Sequence, residues 1–122
     1  ILCIMLIFTA YGNSKSEAVA EYDTSSHGWD FLQKNNDAYD VGANKEGMPV
    51  FKDVDKAFKQ AIVDYADGFK AIQKEYNLLP INRLNWKKYM TYGWQLTTDN
   101  ENVQKQGSQI SQFFDIYENS FN

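Results

Sequence analysis

Residues 54–76 read VDKAFKQAIVDYADGFKAIQKEY, and this stretch decides the fold class. Val54, Phe58, Ala61, Ile62, Tyr65, Phe69, Ile72 and Tyr76 recur at offsets of three and four. On a helix that spacing collects them into one apolar stripe, with Lys, Gln and Asp on the opposite side. Asp53 stands where an N-cap belongs, and Asp55 four residues before Lys59 predicts an exposed ion pair. Asn77 and Pro80 supply the stop.

Outward from this helix the same period continues. A third helix is expected over about 81–97, with Trp86, Tyr89, Met90, Gly93 and Leu96 on one broad face. A fourth begins at the capping-box pattern Thr98-Asp99-Asn100-Glu101 and carries Val103, Ile110, Phe113, Phe114, Tyr117 and Phe121. Upstream, Val19, Tyr22, Trp29, Leu32 and Tyr39 predict a first helix from about Ser16 to Tyr39, broken or kinked near Gly28. Val41 to Pro49, with Gly42, Asn44 and Gly47, reads as a loop. Few alternating β-branched runs compete. The expected class is therefore all-α, a small antiparallel three- or four-helix bundle in which short loops join neighbours.

Composition agrees with one folded domain. The chain has 122 residues, 43% apolar and 16% aromatic, which a disordered chain does not show. About 108 residues beyond the front segment can bury roughly 65% of their unfolded surface. Twelve Lys plus Arg against 16 Asp plus Glu give a net charge of −4, the wrong sign for a nucleic-acid partner. One Cys and one His exclude a disulfide framework, a Cys-based zinc cluster and a poly-His metal site. No cofactor is expected.

The front of the chain is different in kind. Residues 1–8, ILCIMLIF, form an unbroken apolar run, followed by Thr9, Ala10, Tyr11, Gly12, Asn13, Ser14, Lys15 and Ser16. Eight residues are too few for a spanning helix, which needs about 20. They fit the apolar core of an export signal, and the quoted chain is expected to start inside it. The stretch from Leu6 to Ser14 resembles the lipobox region of small Gram-positive bacterial surface lipoproteins. In that family a Cys after the small residue is lipidated and opens the mature protein; here Tyr11 holds that position and cannot form the thioether. Either the native residue at position 11 is Cys, or the protein is exported without a lipid. Ala10 and Gly12 also satisfy a small-x-small cleavage rule, which would release a chain starting at Asn13 and lacking Cys3. The expected organisation is an export or lipobox-like segment over 1–12 and a single helical domain over 13–122.

Few residues carry chemistry. His27, with Asp23 and Asp30 at helical spacing and Ser25 and Ser26 beside it, reads as a polar surface histidine, since neither an oxyanion hole nor further ligands accompany it. Asp37/Asp40 and Asp64/Asp67 are i, i+3 carboxylate pairs without the apolar flanks a glycosidase acid needs, and read as solvated helix surface. Residues 37–42 have oxygens at the wrong positions for a calcium loop. No Gly-rich phosphate loop or nucleophile elbow is present. The reading is not an enzyme.

The one basic-aromatic cluster is Arg83, Trp86, Lys87, Tyr89 and Tyr92, with Lys88. Trp, Tyr and Arg dominate protein-binding hot spots, so this cluster is the candidate binding face, against the simpler reading of solvated cations beside core aromatics. A protein or peptide ligand at the cell surface is the expected partner, with contact to anionic lipid or teichoic acid as a further option. The resemblance implies an exported lipoprotein on the outer face of the membrane, or an extracellular protein if no lipid is added. Its expected role is superinfection exclusion of phages, exclusion of a second conjugating plasmid, or immunity to a bacteriocin. The alternatives are a small cell-wall enzyme using carboxylates, or a structural subunit.

Overall fold

The computed structural model describes residues 18–22, 31 and 38–121. Three short strands come first: β1 (Ala20–Glu21), β2 (Val41–Ala43) and β3 (Pro49–Phe51). Four helices follow: α1 (Val54–Asp64), α2 (Ala66–Glu75), α3 (Trp86–Gln95) and α4 (Glu101–Asn119). The fold is mostly helical but not all-α, because an antiparallel sheet in the order β1-β2-β3 packs beside the helices.

The segment read as a loop is a hairpin. Val41 pairs with Phe51 and Ala43 with Pro49. Asn44 turns the chain: its Oδ1 accepts the Glu46 and Met48 N–H groups at 3.0 and 2.9 Å. Gly47 follows with φ +81°, a conformation open to glycine at little cost. Gly, Asn and Pro mark both a loop and the turn of a hairpin, and strands of three residues leave no alternation to count. Pro49 begins an edge strand, where its missing N–H is tolerated. The outer edge of that strand is closed by the end of α4. Phe51 N–H donates to Ser120 Oγ at 2.9 Å, and Asn119 Nδ2 donates to the Pro49 carbonyl at 3.4 Å. On the other side Ala20 pairs with Ala43, so an unbroken helix from Ser16 to Tyr39 does not form. The remainder of that expected helix lies outside the described residues apart from Phe31, Ala38 and Tyr39, which are helical.

The apolar stripe over 54–76 is present but falls on two helices. Asp53 caps α1, accepting the Lys56 N–H at 3.1 Å. At Tyr65 the backbone leaves helical geometry (φ −117°, ψ 29°). The Gly68 N–H, which a continuous helix would give to the Asp64 carbonyl, goes to Gln106 Oε1 on α4 at 2.8 Å. A side chain inserted into the ladder is a recognised cause of a helix break. The end of α2 is closed as the sequence indicates: Asn77 adopts φ +53°, and Leu78 N–H donates to the Gln73 carbonyl at 3.0 Å, the Schellman arrangement. The expected Asp55–Lys59 pair is replaced by Asp55–Arg83 at 3.0 Å.

The later helices start later than their patterns suggested. α3 begins at Trp86, not near Ile81, and the N-cap of α4 is Asn100, whose Oδ1 accepts the Asn102 and Val103 N–H groups. α3 and α4 form an antiparallel hairpin, with Trp86 on Phe114 and Leu96 beside Gly107. α4 also runs antiparallel to α1 and α2, since Phe58 meets Tyr117 while Gly68 meets Gln106. α3, however, runs in the same sense as α1 and α2: Arg83 reaches Asp55, Phe69 meets Tyr89 and Tyr76 stacks on Tyr92. The reason is the connection over 76–85, which returns along the helices before α3 starts, so the expected alternation of direction is lost at this step.

The core is aromatic. Phe31, Tyr39, Phe51 and Phe113 meet where the sheet covers α4, and Phe58, Phe69, Tyr89, Phe114 and Tyr117 continue it between the helices. Phe121, expected in this core, is part-exposed and rests edge-on against Tyr117. Among the described residues no helix is long and apolar enough to cross a membrane.

Candidate interaction surface

The return segment before α3 exposes two large apolar side chains, Leu79 and Leu84. It contains Leu79, Pro80, Ile81, Asn82, Arg83, Leu84 and Asn85. Two asparagines tie it into a knot. Asn82 Oδ1 accepts the Leu84 N–H at 2.7 Å and the Asn85 N–H at 3.1 Å. Asn85 Oδ1 accepts the Asn82 N–H at 2.8 Å, and its Nδ2 donates to the carbonyls of Leu79 and Pro80 at 3.2 and 3.1 Å. Tyr89, rising from α3, donates its hydroxyl to the Leu79 carbonyl at 2.5 Å. Asn is suited to this because its short amide can serve nearby backbone donors and acceptors together.

Within this frame Ile81 packs against the core, whereas Leu79 is 75% and Leu84 94% exposed. A single exposed leucine is ordinary. Here two stand out of the core on one loop whose backbone is tied by its own asparagines.

The sequence-predicted cluster is sorted by depth. Arg83 pins the loop to the start of α1, paired with Asp55 and lying 4.9 Å over the Phe58 ring. Lys87 stands over the Trp86 ring at 5.6 Å and lies 3.8 Å from Glu118. Trp86 is half-buried, stacked on Phe114 and edge-on to Tyr117. Trp86 and Lys87 thus meet the end of α4 where α3 begins, while Arg83 reaches the start of α1. Tyr92 stands two turns along α3, stacked on Tyr76 at 4.1 Å with planes 10° apart. Tyr89 is fully buried, and burial raises its hydroxyl above the ordinary tyrosine range. It holds the loop from beneath and cannot touch a partner.

Each of the two cations placed here has an acid beside it, Arg83 with Asp55 and Lys87 with Glu118. The sequence reading missed Leu79 and Leu84, because a helix begun at Ile81 gives Leu84 no special place. The Asn82/Asn85 spacing before an apolar-aromatic run was the available signal.

The other carboxylates that the sequence singles out do not assemble a catalytic pair or a metal site among the described residues. Asp64 Oδ2 accepts the Tyr39 hydroxyl at 2.7 Å and Oδ1 accepts Gln60 Nε2 at 2.9 Å; burial, with Asp64 second, pushes the Tyr39 hydroxyl far above its usual range. Asp40 lies 3.7 Å from Lys52. Among the described residues no group of three or more His, Cys, Asp or Glu stands ready for a metal ion. Cys3, Tyr11, Asp23, Ser25, Ser26, His27, Asp30 and Asp37 lie outside the described residues. The chain matches no protein-family model, no curated protein and no solved structure.

Proposed function

We propose that this chain is an exported, non-catalytic binding protein of the cell surface. It recognises a protein or peptide through the loop over 79–85 and the adjoining ends of α3 and α4. The observation that carries this reading is the pair Leu79 and Leu84, held in water by a network that uses the loop's own polar groups. Apolar anchors fixed in advance lose little entropy on docking, and flanking Arg and Trp are the residue types that hot spots favour. The role is protection of the cell against an incoming phage, plasmid or bacteriocin. The lipobox-like segment supports it, with a lipid anchor if position 11 is natively Cys.

The test is protection in a Gram-positive host challenged with phages, conjugating donors and bacteriocins. The double change Leu79→Asp with Leu84→Asp is expected to weaken binding, read as protection, by at least about 30-fold, the loss of roughly 2 kcal/mol of hot-spot energy. The amount of protein and its melting temperature should stay the same. Val63→Asp, at an exposed apolar position on α1, should protect as the parent does. Full protection by the double variant would place recognition elsewhere, and a parent that protects against nothing would overturn the role.

A further inference from the structure

A second region of the surface holds groups that neither packing nor the loop explains. Where α1 breaks into α2, Asp64 and Asp67 face the first turns of α4 across an open cleft that Asn102, Lys105, Gln106 and Gln109 also line. Gln106 gives its Oε1 to the Gly68 N–H. Gln109 is different: only 7% exposed, its amide has no hydrogen-bond partner among the described residues. Its neighbour Gln112, equally buried, is served on both sides, accepting the Phe31 N–H at 3.1 Å and donating to Ser108 Oγ at 3.2 Å. A buried amide without a protein partner is met by water or by a ligand, and beside an open cleft either can reach it.

The geometry points to a guanidinium site: Asp64 and Asp67 accept its N–H groups from one wall, and the Gln109 carbonyl oxygen accepts another from the other. Asp64 is oriented in advance, because the Tyr39 hydroxyl and Gln60 each occupy one lone pair and leave one on each oxygen. Two carboxylates against the Lys105 ammonium leave the cleft one negative charge, the complement of a single cation. A metal ion is the poorer occupant, since only two carboxylates stand here and no larger group of ligating side chains exists among the described residues. An ammonium is a compact charge with three donors, whereas a guanidinium presents five in a planar fork that can span two walls. The guanidinium is carried either by free arginine or by an arginine of a polypeptide.

The probe is methylguanidinium chloride, followed through the side-chain amide resonances of Gln109 and Gln106 in the whole chain. Expected is a saturable shift with a midpoint on the order of 1–10 mM, as for a small exposed cation site. Asp67→Asn should raise that midpoint about tenfold. Gln109→Met should abolish the response of the Gln106 amide while raising the melting temperature by a few degrees, because it replaces an amide without a partner among the described residues by an apolar side chain of similar length. N-acetyl-argininamide binding more tightly than free arginine would put the guanidinium on a polypeptide, and the reverse order on the free amino acid. The assignment is overturned if no saturable shift occurs, or if methylammonium or N-acetylglucosamine acts as well as methylguanidinium. A lower melting temperature for Gln109→Met would also overturn it, since the amide would then have a structural partner.

Discussion

Phe113→Ala is expected to destabilise the fold by about 3–5 kcal/mol, the upper range for truncating a buried ring. Phe113 is 1% exposed. Its ring lies 4.9 Å from Phe51 of β3, 5.8 Å from Phe31, 6.0 Å from Tyr39 and 4.9 Å from Phe114. It therefore joins the hairpin, the segment before it and the helices in one core. The rings around it are held by separate backbone elements and cannot close over the gap, so a cavity term adds to the lost burial. Domains of this size have about 5–15 kcal/mol in total, so the variant should unfold at a much lower urea concentration. A loss below about 1 kcal/mol would mean that sheet and helices do not share this core.

Gly93→Ala is expected to cost about 2–4 kcal/mol, although alanine is the better helix former by about 1 kcal/mol. A methyl group built at Gly93 would overlap Ser111 Oγ and stand 2.5 Å from the Gly107 carbonyl oxygen. The backbone of α4 cannot yield without moving the whole hairpin. The Ser111 hydroxyl is also engaged, donating to the Met90 carbonyl at 2.6 Å, so overlap at this point breaks that bond too. Gly107→Ala should be milder, because its nearest obstacle is the flexible end of Leu96 at 2.9 Å and the Gly93 carbonyl oxygen stands farther off, at 3.0 Å. Urea unfolding of the two variants gives the ordering. Equal or increased stability in Gly93→Ala would contradict the close crossing of α3 and α4.

The elements that could be read from sequence are those whose signals are local. Asp53, the stripe from Val54 to Tyr76 and the Asn77 stop all lie within a few turns of what they govern. The break at Tyr65 was not legible, because its cause is Gln106, 38 residues away from Gly68. The sheet was hidden for a related reason: Ala20 meets Ala43 across a long separation, and Val41–Ala43 and Pro49–Phe51 are too short to show alternation. The direction of α3 depends on the return path over 76–85, where the Asn82/Asn85 bonds leave no helical periodicity. In the basic-aromatic cluster the residue types were visible but their depth was not. On one helix Lys87 points to solvent and Tyr89 into the core, and only packing against Phe69 and the Leu79 carbonyl separates their roles.

Recognition through Leu79 and Leu84 requires that the loop carrying them hold one shape before a partner arrives. Backbone ¹⁵N relaxation across residues 77–90 tests it without any ligand. Order parameters for 79–85 should lie close to those of α3, about 0.85. Values below about 0.6 across the loop would contradict it, since leucines on a fluctuating loop present no preformed surface.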